Sequence, residues 1–272
     1  MRAPFEIAGY SIAAGESLKI NFPISKLYTN TDVTLPIFVK HGRKDGPVLF
    51  VSAAIHGDEL NGVEIIRRLI RSSKLKYLHG TLIAIPLVNV YGVLNHSRYL
   101  PDRRDLNRSF PGSDRASLAG RMANLFLKEI VSLCNVGIDL HTGAVHRSNL
   151  PQIRANLDDE ETLELAKAFS VPVIINSNIR DGSLRQSAAE LGVKVLLYEA
   201  GEALRFDDVS IKVGLKGVLN VMHQMGMIKI RSRVGSDLTP YMAKNSGWIR
   251  ANASGFVTDK KKLGDYVNEK DA

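Results

Sequence analysis

Short apolar runs alternate along this chain with stretches in which apolar positions recur every three or four residues. The runs predict strands and the recurrences predict amphipathic helices. Leu18 to Phe22 and Leu35 to Lys40 predict strands with mixed alternation, and Gly42 to Pro47 a turn. Val48 to Ile55 is an apolar run of the kind found in strands buried on both faces. From Asp58 to Ser72, Leu60, Val63, Ile66, Leu69 and Ile70 follow helical spacing. Thr81 to Val88 is a second apolar strand. Asn89 to Ser113 is polar, rich in arginine and without period, and a loop that long is usually functional. Leu118, Met122, Leu125, Phe126, Ile130 and Leu133 mark a long helix, and Val136 to Leu140 a strand that delivers His141.

Glu160 to Ser170 predicts a helix and Val171 to Ile175 the strand after it. Ser183 to Leu191 is the next helix, and Val193 to Tyr198 a strand ending at Glu199. Asp207 to Met225 is a long helix with Asp207 or Asp208 as its cap. The alternation from Val48 to Met225 argues an α/β fold, with a central, largely parallel or mixed sheet flanked by helices. After Met227 the texture turns to Gly, Ser, Asn and short β-like pieces, Trp248 to Ala251 and Gly255 to Val257. The expected organisation is an α/β domain over 1–227 and the start of a small β module over 228–272. That module lacks a closing strand and is expected to be truncated.

At 272 residues, the chain has room for one large α/β domain and an appendage. Apolar content of 44% and charged content of 24% are those of a globular protein. No apolar stretch approaches the ~20 residues that span a bilayer. The start, Met1 to Glu6, does not resemble a secretory signal, and a cytoplasmic location is expected. The single cysteine, Cys134, excludes an internal disulfide and is expected to pack inside. A formal charge of +8 raises the question of nucleic acid. The basic residues are scattered, and no aromatic residues interleave with them to stack bases. Nucleic acid and membrane are therefore not expected as partners. The densest basic group, Arg98 to Arg108, reads instead as an anion pocket for a small carboxylate substrate. No heptads indicate an oligomeric state.

The candidate chemistry gathers at predicted strand ends, the edge where open α/β sheets place their sites. His56-Gly57-Asp58-Glu59 follows one apolar run, and His141 ends another. Two histidines and one carboxylate form the ligand set of catalytic zinc, with a fourth position open for water. If Glu59 begins the helix, His56 and Glu59 share one face. The competing reading makes His56 a turn residue and Glu59 an acid favoured by the helix dipole. Asp58 reads as an N-cap or as a partner of the ligands. Glu199 closes a buried strand, where a carboxylate is costly unless used or paired. It is placed to act as general base, with pairing to an arginine as the competing role and Glu202 as its rival.

At these residues the chain resembles the succinylglutamate desuccinylase/aspartoacylase family, which is related to zinc carboxypeptidases. The resemblance is carried by His56-x-x-Glu59, Asp105-Leu106-Asn107-Arg108 with Phe110-Pro111-Gly112, Asp139-Leu140-His141-Thr142-Gly143 and Glu199-x-Gly201, in that order. It covers roughly Pro47 to Met225, with an echo of the family's C-terminal β module in Lys262 to Val267. The resemblance implies one zinc per chain on His56, Glu59 and His141, with Glu199 as general base. It implies Asn107 and Arg108 as holders of a substrate α-carboxylate. It assigns the oxyanion to an upstream arginine, for which Arg98 is the choice and Arg103 and Arg104 the rivals. His96 and His146 read as loop or rim residues. The implied activity is removal of an acyl group from an N-acyl amino acid. A carboxypeptidase acting on peptides and a non-catalytic binding homologue are the alternatives.

Overall fold

A computed structural model describes residues 2–177, 182–230, 239–244, 247–258 and 260–269. β1 (Phe5–Ile7) and β2 (Tyr10–Ile12) pair as a small antiparallel hairpin. The other described strands form one sheet: β3 (Ser17–Lys26), β4 (Asp32–His41), β5 (Lys44–Ala53), β6 (His79–Ile85), β7 (Val136–Gly143), β8 (Asn149–Ala155), β9 (Val173–Asn176), β10 (Lys194–Glu202) and β11 (Tyr241–Ala243). Their order across it is β11-β9-β8-β10-β7-β5-β6-β4-β3. The middle strands β10, β7, β5 and β6 are parallel. β8 runs antiparallel to β10, and β4 and β3 add antiparallel strands at the far side. The helices are α1 (Asn61–Ile70), α2 (Val90–Leu94), α3 (Leu118–Glu129), α4 (Glu160–Phe169), α5 (Leu184–Glu190) and α6 (Asp208–Gln224).

The two-residue period of the strands divides the core into two layers. Leu49, Val51 and Ala53 of β5 enter a layer with Ile65, Ile66 and Leu69 of α1, Phe169 of α4 and Met222 of α6. Phe50 enters the opposite layer with Met122 and Phe126 of α3 and Leu184 of α5. Every residue of β7 is buried, which suits a strand at the centre. On the outer side of α1, Glu64 pairs with Arg67 and Arg68 at 2.5 and 2.7 Å. Its inner side approaches the sheet closely at Gly62, where a Cβ would lie 2.7 Å from the Cβ atoms of Ala53 and Leu140. Asp207 caps α6 by accepting from the Ser210 N–H at 2.8 Å, and Asp159 caps α4 in the same way from Thr162. Such caps contribute about 1 kcal/mol each.

Buried Asn61 joins three elements at the start of α1. Its Nδ2 donates to the Ala200 carbonyl of β10 at 3.1 Å, and its Oδ1 accepts from the Asp207 N–H before α6 at 2.9 Å.

The structure corrects several elements. The predicted turn from Gly42 to Pro47 is shorter, because Lys44 already pairs with His79 of β6. The helix expected from Asp58 begins at Asn61. His141 and Glu199 lie inside strands rather than after them, since β7 and β10 continue their pairing beyond Leu140 and Tyr198. β8 was not anticipated: Pro151 breaks its alternation, and most of its residues are only half-buried. The β pieces expected at Trp248–Ala251 and Gly255–Val257 form no strands. Trp248, Ile249, Phe256 and Val257 are exposed, and no described strand pairs with them. Among the described residues of this region the strand is β11, paired parallel to β9. Residues 231–238, 245–246, 259 and 270–272 of the expected module lie outside the described residues.

Candidate metal centre

β5, β7 and β10 run side by side and deliver their C-terminal ends to one edge of the sheet. Beyond β5 the backbone kinks at Ala54, with φ of 53°, and the Glu59 N–H then closes onto the His56 carbonyl at 3.1 Å. His56 and Glu59 are thus joined by a turn, not by a helix face. The turn lies hard against α2: a Cβ on Gly57 would sit 1.9 Å from the Gly92 carbonyl carbon. Only glycine fits there.

Glu59 lies between two imidazoles. His56 Nδ1 is 2.7 Å from its Oε1, and His141 Nδ1, arriving from β7, is 2.7 Å from its Oε2. The Thr142 N–H also donates to Oε2, at 3.2 Å. All three side chains are buried, and their candidate ligand atoms lie within 4.8 Å of one another. Each histidine turns its other nitrogen to a second carboxylate. His141 Nε2 is 2.7 Å from Asp139, two residues earlier on the same strand face. Asp139 is fixed in turn by the Ser52 hydroxyl at 2.7 Å, its register partner on β5. His56 Nε2 is 3.1 Å from Asp105, which also accepts from Arg98 Nη2 at 2.9 Å. Arg98 Nη1 reaches Glu59 at 3.4 Å.

The charges support one another. Burial alone would push the Glu59 carboxyl up, but the two histidines hold it well below the usual carboxylate range. Burial likewise disfavours charge on His56 and His141, yet the surrounding carboxylates raise both above an ordinary histidine. Asp105 is desolvated too, and His56 and Arg98 keep it low. Two Nδ1 atoms and a carboxylate converging in a buried site form a donor set for a divalent cation. The carboxylates on the far nitrogens are the supports that orient ligating histidines. The residues present therefore fit a metal.

Glu199 stands beside this cluster. On β10 it is the register partner of His141 on β7 and of Gln152 on β8, so all three share one sheet face. Its Oε2 accepts from Asn149 Nδ2 at 2.8 Å and Gln152 Nε2 at 3.2 Å, and lies 3.4 Å from Arg154 Nε. Glu202, its rival in the sequence, instead accepts the His146 N–H at 3.0 Å. Asn107 is buried in the short helical turn Leu106–Arg108, where its Oδ1 accepts from the Leu184 N–H at 2.9 Å. Arg108 is exposed beside it, as are Arg103 and Arg104 in the turn before. Of the three upstream arginines, Arg98 is the one the structure brings to the cluster. Asp58 is buried but does not cap α1, whose N-cap position is Leu60. The exposed His96 and His146 lie on loops.

Sequence reasoning missed Asp105, Asp139 and Ser52 as supports of the histidines. Asp139 had a signal: a carboxylate two residues before a strand histidine lies on the same face. It also missed Asn149, Gln152 and Arg154. The alternation of Gln152 and Arg154 with Ile153 and Ala155 is visible, but Pro151 obscures the strand.

Residues 45–225 match the succinylglutamate desuccinylase/aspartoacylase catalytic domain. The N-α-acetyl-L-2,4-diaminobutyric acid deacetylase of Halomonas elongata is 28% identical over 247 residues, which cover 87% of this chain and 72% of that protein. The crystal structure of a succinylglutamate desuccinylase/aspartoacylase from Rhodobacter sphaeroides superposes with a TM-score of 0.74 at 26% identity, covering 85% of this chain and 73% of the other. The product-bound ectoine utilization protein of Ruegeria pomeroyi shares the fold, with a TM-score of 0.75 at 22% identity over 90% of this chain and 76% of the other.

Proposed function

Because the chain belongs to the succinylglutamate desuccinylase/aspartoacylase family, we propose that it is a zinc-dependent amide hydrolase that removes the acyl group from an N-acyl amino acid. The observation that carries this reading is the buried His56–Glu59–His141 cluster with Glu199 in register beside it. The acyl amino acid deacetylase from Halomonas elongata supports the substrate class.

On this reading His56, Glu59 and His141 hold one zinc per chain. When bound, the ion would supply Lewis acidity for the scissile carbonyl and for the attacking water. Asp105 and Asp139 keep the two imidazoles oriented with Nδ1 towards the ion. Glu199 takes the proton of the attacking water and passes it to the leaving amine nitrogen. Arg98 faces the charge that develops on the carbonyl oxygen. Asn107 has its Oδ1 committed to the Leu184 N–H, which leaves Nδ2 to donate to a substrate α-carboxylate, with Arg108 as its cationic partner. In this proposal residues 228–272 contribute a C-terminal β module, joined to the main sheet through β11, that narrows access to small substrates. No described helix is long and apolar enough to cross a membrane. A cytoplasmic location completes the proposal.

The test is metal content and hydrolysis on one purified sample. Substrates are N-α-acetyl-2,4-diaminobutyrate, N-acetylaspartate, N-succinylglutamate, N-acetylated neutral amino acids and a short peptide. About one zinc per chain with release of a free amino acid is the expected result. Cleavage of the peptide alone would turn the reading to a carboxypeptidase. Bound zinc without any hydrolysis would turn it to a binding protein.

A further inference from the structure

We infer that Asn149, Gln152 and Arg154 of β8 form a positioning clamp, which holds Glu199 by one oxygen and so fixes the direction of the other; this rests on the reading of Glu199 as general base. The three side chains come from one strand and converge on one atom, Glu199 Oε2, at 2.8, 3.2 and 3.4 Å. Among the described residues, no donor is recorded on Oε1. The convergence follows from register. Gln152 lies directly opposite Glu199, and Arg154 opposite Leu197, two residues earlier, so both face the same side. Asn149 arrives beyond a break in the pairing, opposite Gly201.

β8 is largely half-buried, yet it spends an amide, a second amide and a guanidinium on one carboxylate. The energy of that grouping is modest, because Arg154 and Glu199 keep 26% and 21% of their side-chain exposure. Orientation is the larger effect. The terminal torsion of a glutamate is broad, and an unheld carboxylate samples many directions. Two amide N–H donors and a cation on Oε2 leave Oε1 directed away from β8. On the opposite side of β10 is β7, which carries His141. The clamp thus turns the free oxygen of the base towards the strand that carries a candidate metal ligand. Misplacement by about 1 Å in such a constellation can cost ~100-fold in rate.

The test has two arms. In the first, Gln152→Leu and Arg154→Met are assayed on the substrate that the wild type hydrolyses. Each is expected to lower kcat by about 10- to 100-fold, with KM and metal content unchanged, and Arg154→Lys is expected to recover part of the loss. In a Glu199→Gln background the same replacements are expected to add nothing, since they act through that side chain. A rise in KM, or an undiminished loss in that background, would show that β8 contacts the substrate and would overturn the clamp. The second arm needs no activity. The side-chain NH2 resonances of Asn149 and Gln152 are followed by 15N NMR in the wild type and in Glu199→Met, which removes both acceptor oxygens. Shifted signals with faster solvent exchange in the variant support the clamp, and unmoved signals overturn it. Wild-type protein that hydrolyses no acyl amino acid would refute the proposed function, while the NMR arm would still judge the clamp.

Discussion

At Glu59 two histidines share one buried carboxylate, one on each oxygen. On the proposed reading, removing either imidazole leaves the other donors too few to close the ligand set. His141→Ala is expected to lose its zinc, as read by metal analysis after dialysis; a full complement would strike His141 from the ligands. Glu199→Gln keeps the carbonyl oxygen and loses the base. It is expected to retain zinc and to lose turnover by about 100- to 10,000-fold, as measured by release of free amino acid. A wild-type rate would end the assignment. The clustering of His56, Glu59 and His141 was legible because the two histidines close apolar runs, where a buried polar group is costly unless it is used or paired, and Glu59 follows His56 by three residues. Asp105 was hidden because its partner His56 is 49 residues away, and only the fold of the arginine-rich loop brings them together. Asp58 misled in the other direction: an acid just before a helical period reads as a cap, but the turn from His56 delays the helix to Asn61.

The elements hold this geometry through close packing of backbone. α1 approaches β5 and β7 at Gly62, where an added methyl meets Ala53 and Leu140. Gly62→Ala must move the helix or the strands, and both carry or adjoin ligands. It is expected to cost about 1–3 kcal/mol, measured as a lower urea midpoint, although alanine has the better helix propensity. An unchanged midpoint would show that α1 shifts freely. Helices with a clear three-to-four-residue period were legible, α6 most of all, whereas α3 ends at Glu129, short of the Leu133 that its period reached. β8 was not, because it is half-buried, contains Pro151 and earns its place by pairing with β10 rather than by its own pattern. The same lack of intrinsic signal, reversed, explains Trp248 to Ala251: strand-like residues without a partner form no strand.

In the whole molecule, the candidate ligands come from two segments, the turn after β5 and strand β7, with supports from the loop after α2. Binding an ion there links stability to metal. Zinc at about a hundred times its dissociation constant is expected to add ~2.7 kcal/mol, seen as a higher melting temperature that a chelator reverses. The circular dichroism spectrum should change little, since the cluster sits on strand β7 and on a turn packed against α2. A melting temperature indifferent to zinc would remove the site from the native state. The layered α/β plan was legible from the alternation of runs and periods. The antiparallel strands β3, β4 and β8 were not distinguishable from parallel ones, because direction is set by the path of the connections and not by the residues.

Asn61 precedes Gly62, and asparagine followed by glycine is the dipeptide most prone to lose its amide with time: the next backbone nitrogen attacks the side-chain carbonyl and closes a succinimide. In the folded chain both ends of that amide are occupied, by the Ala200 carbonyl and the Asp207 N–H, and the helical backbone keeps the nitrogen away. The native protein should therefore age slowly at this position, and protein that has spent time unfolded should not. An aspartate there would set a carboxylate against the Ala200 carbonyl where a donor belongs. Each excursion through the unfolded state would then leave a permanent acidic mark, readable by isoelectric focusing, on molecules that no longer refold as well.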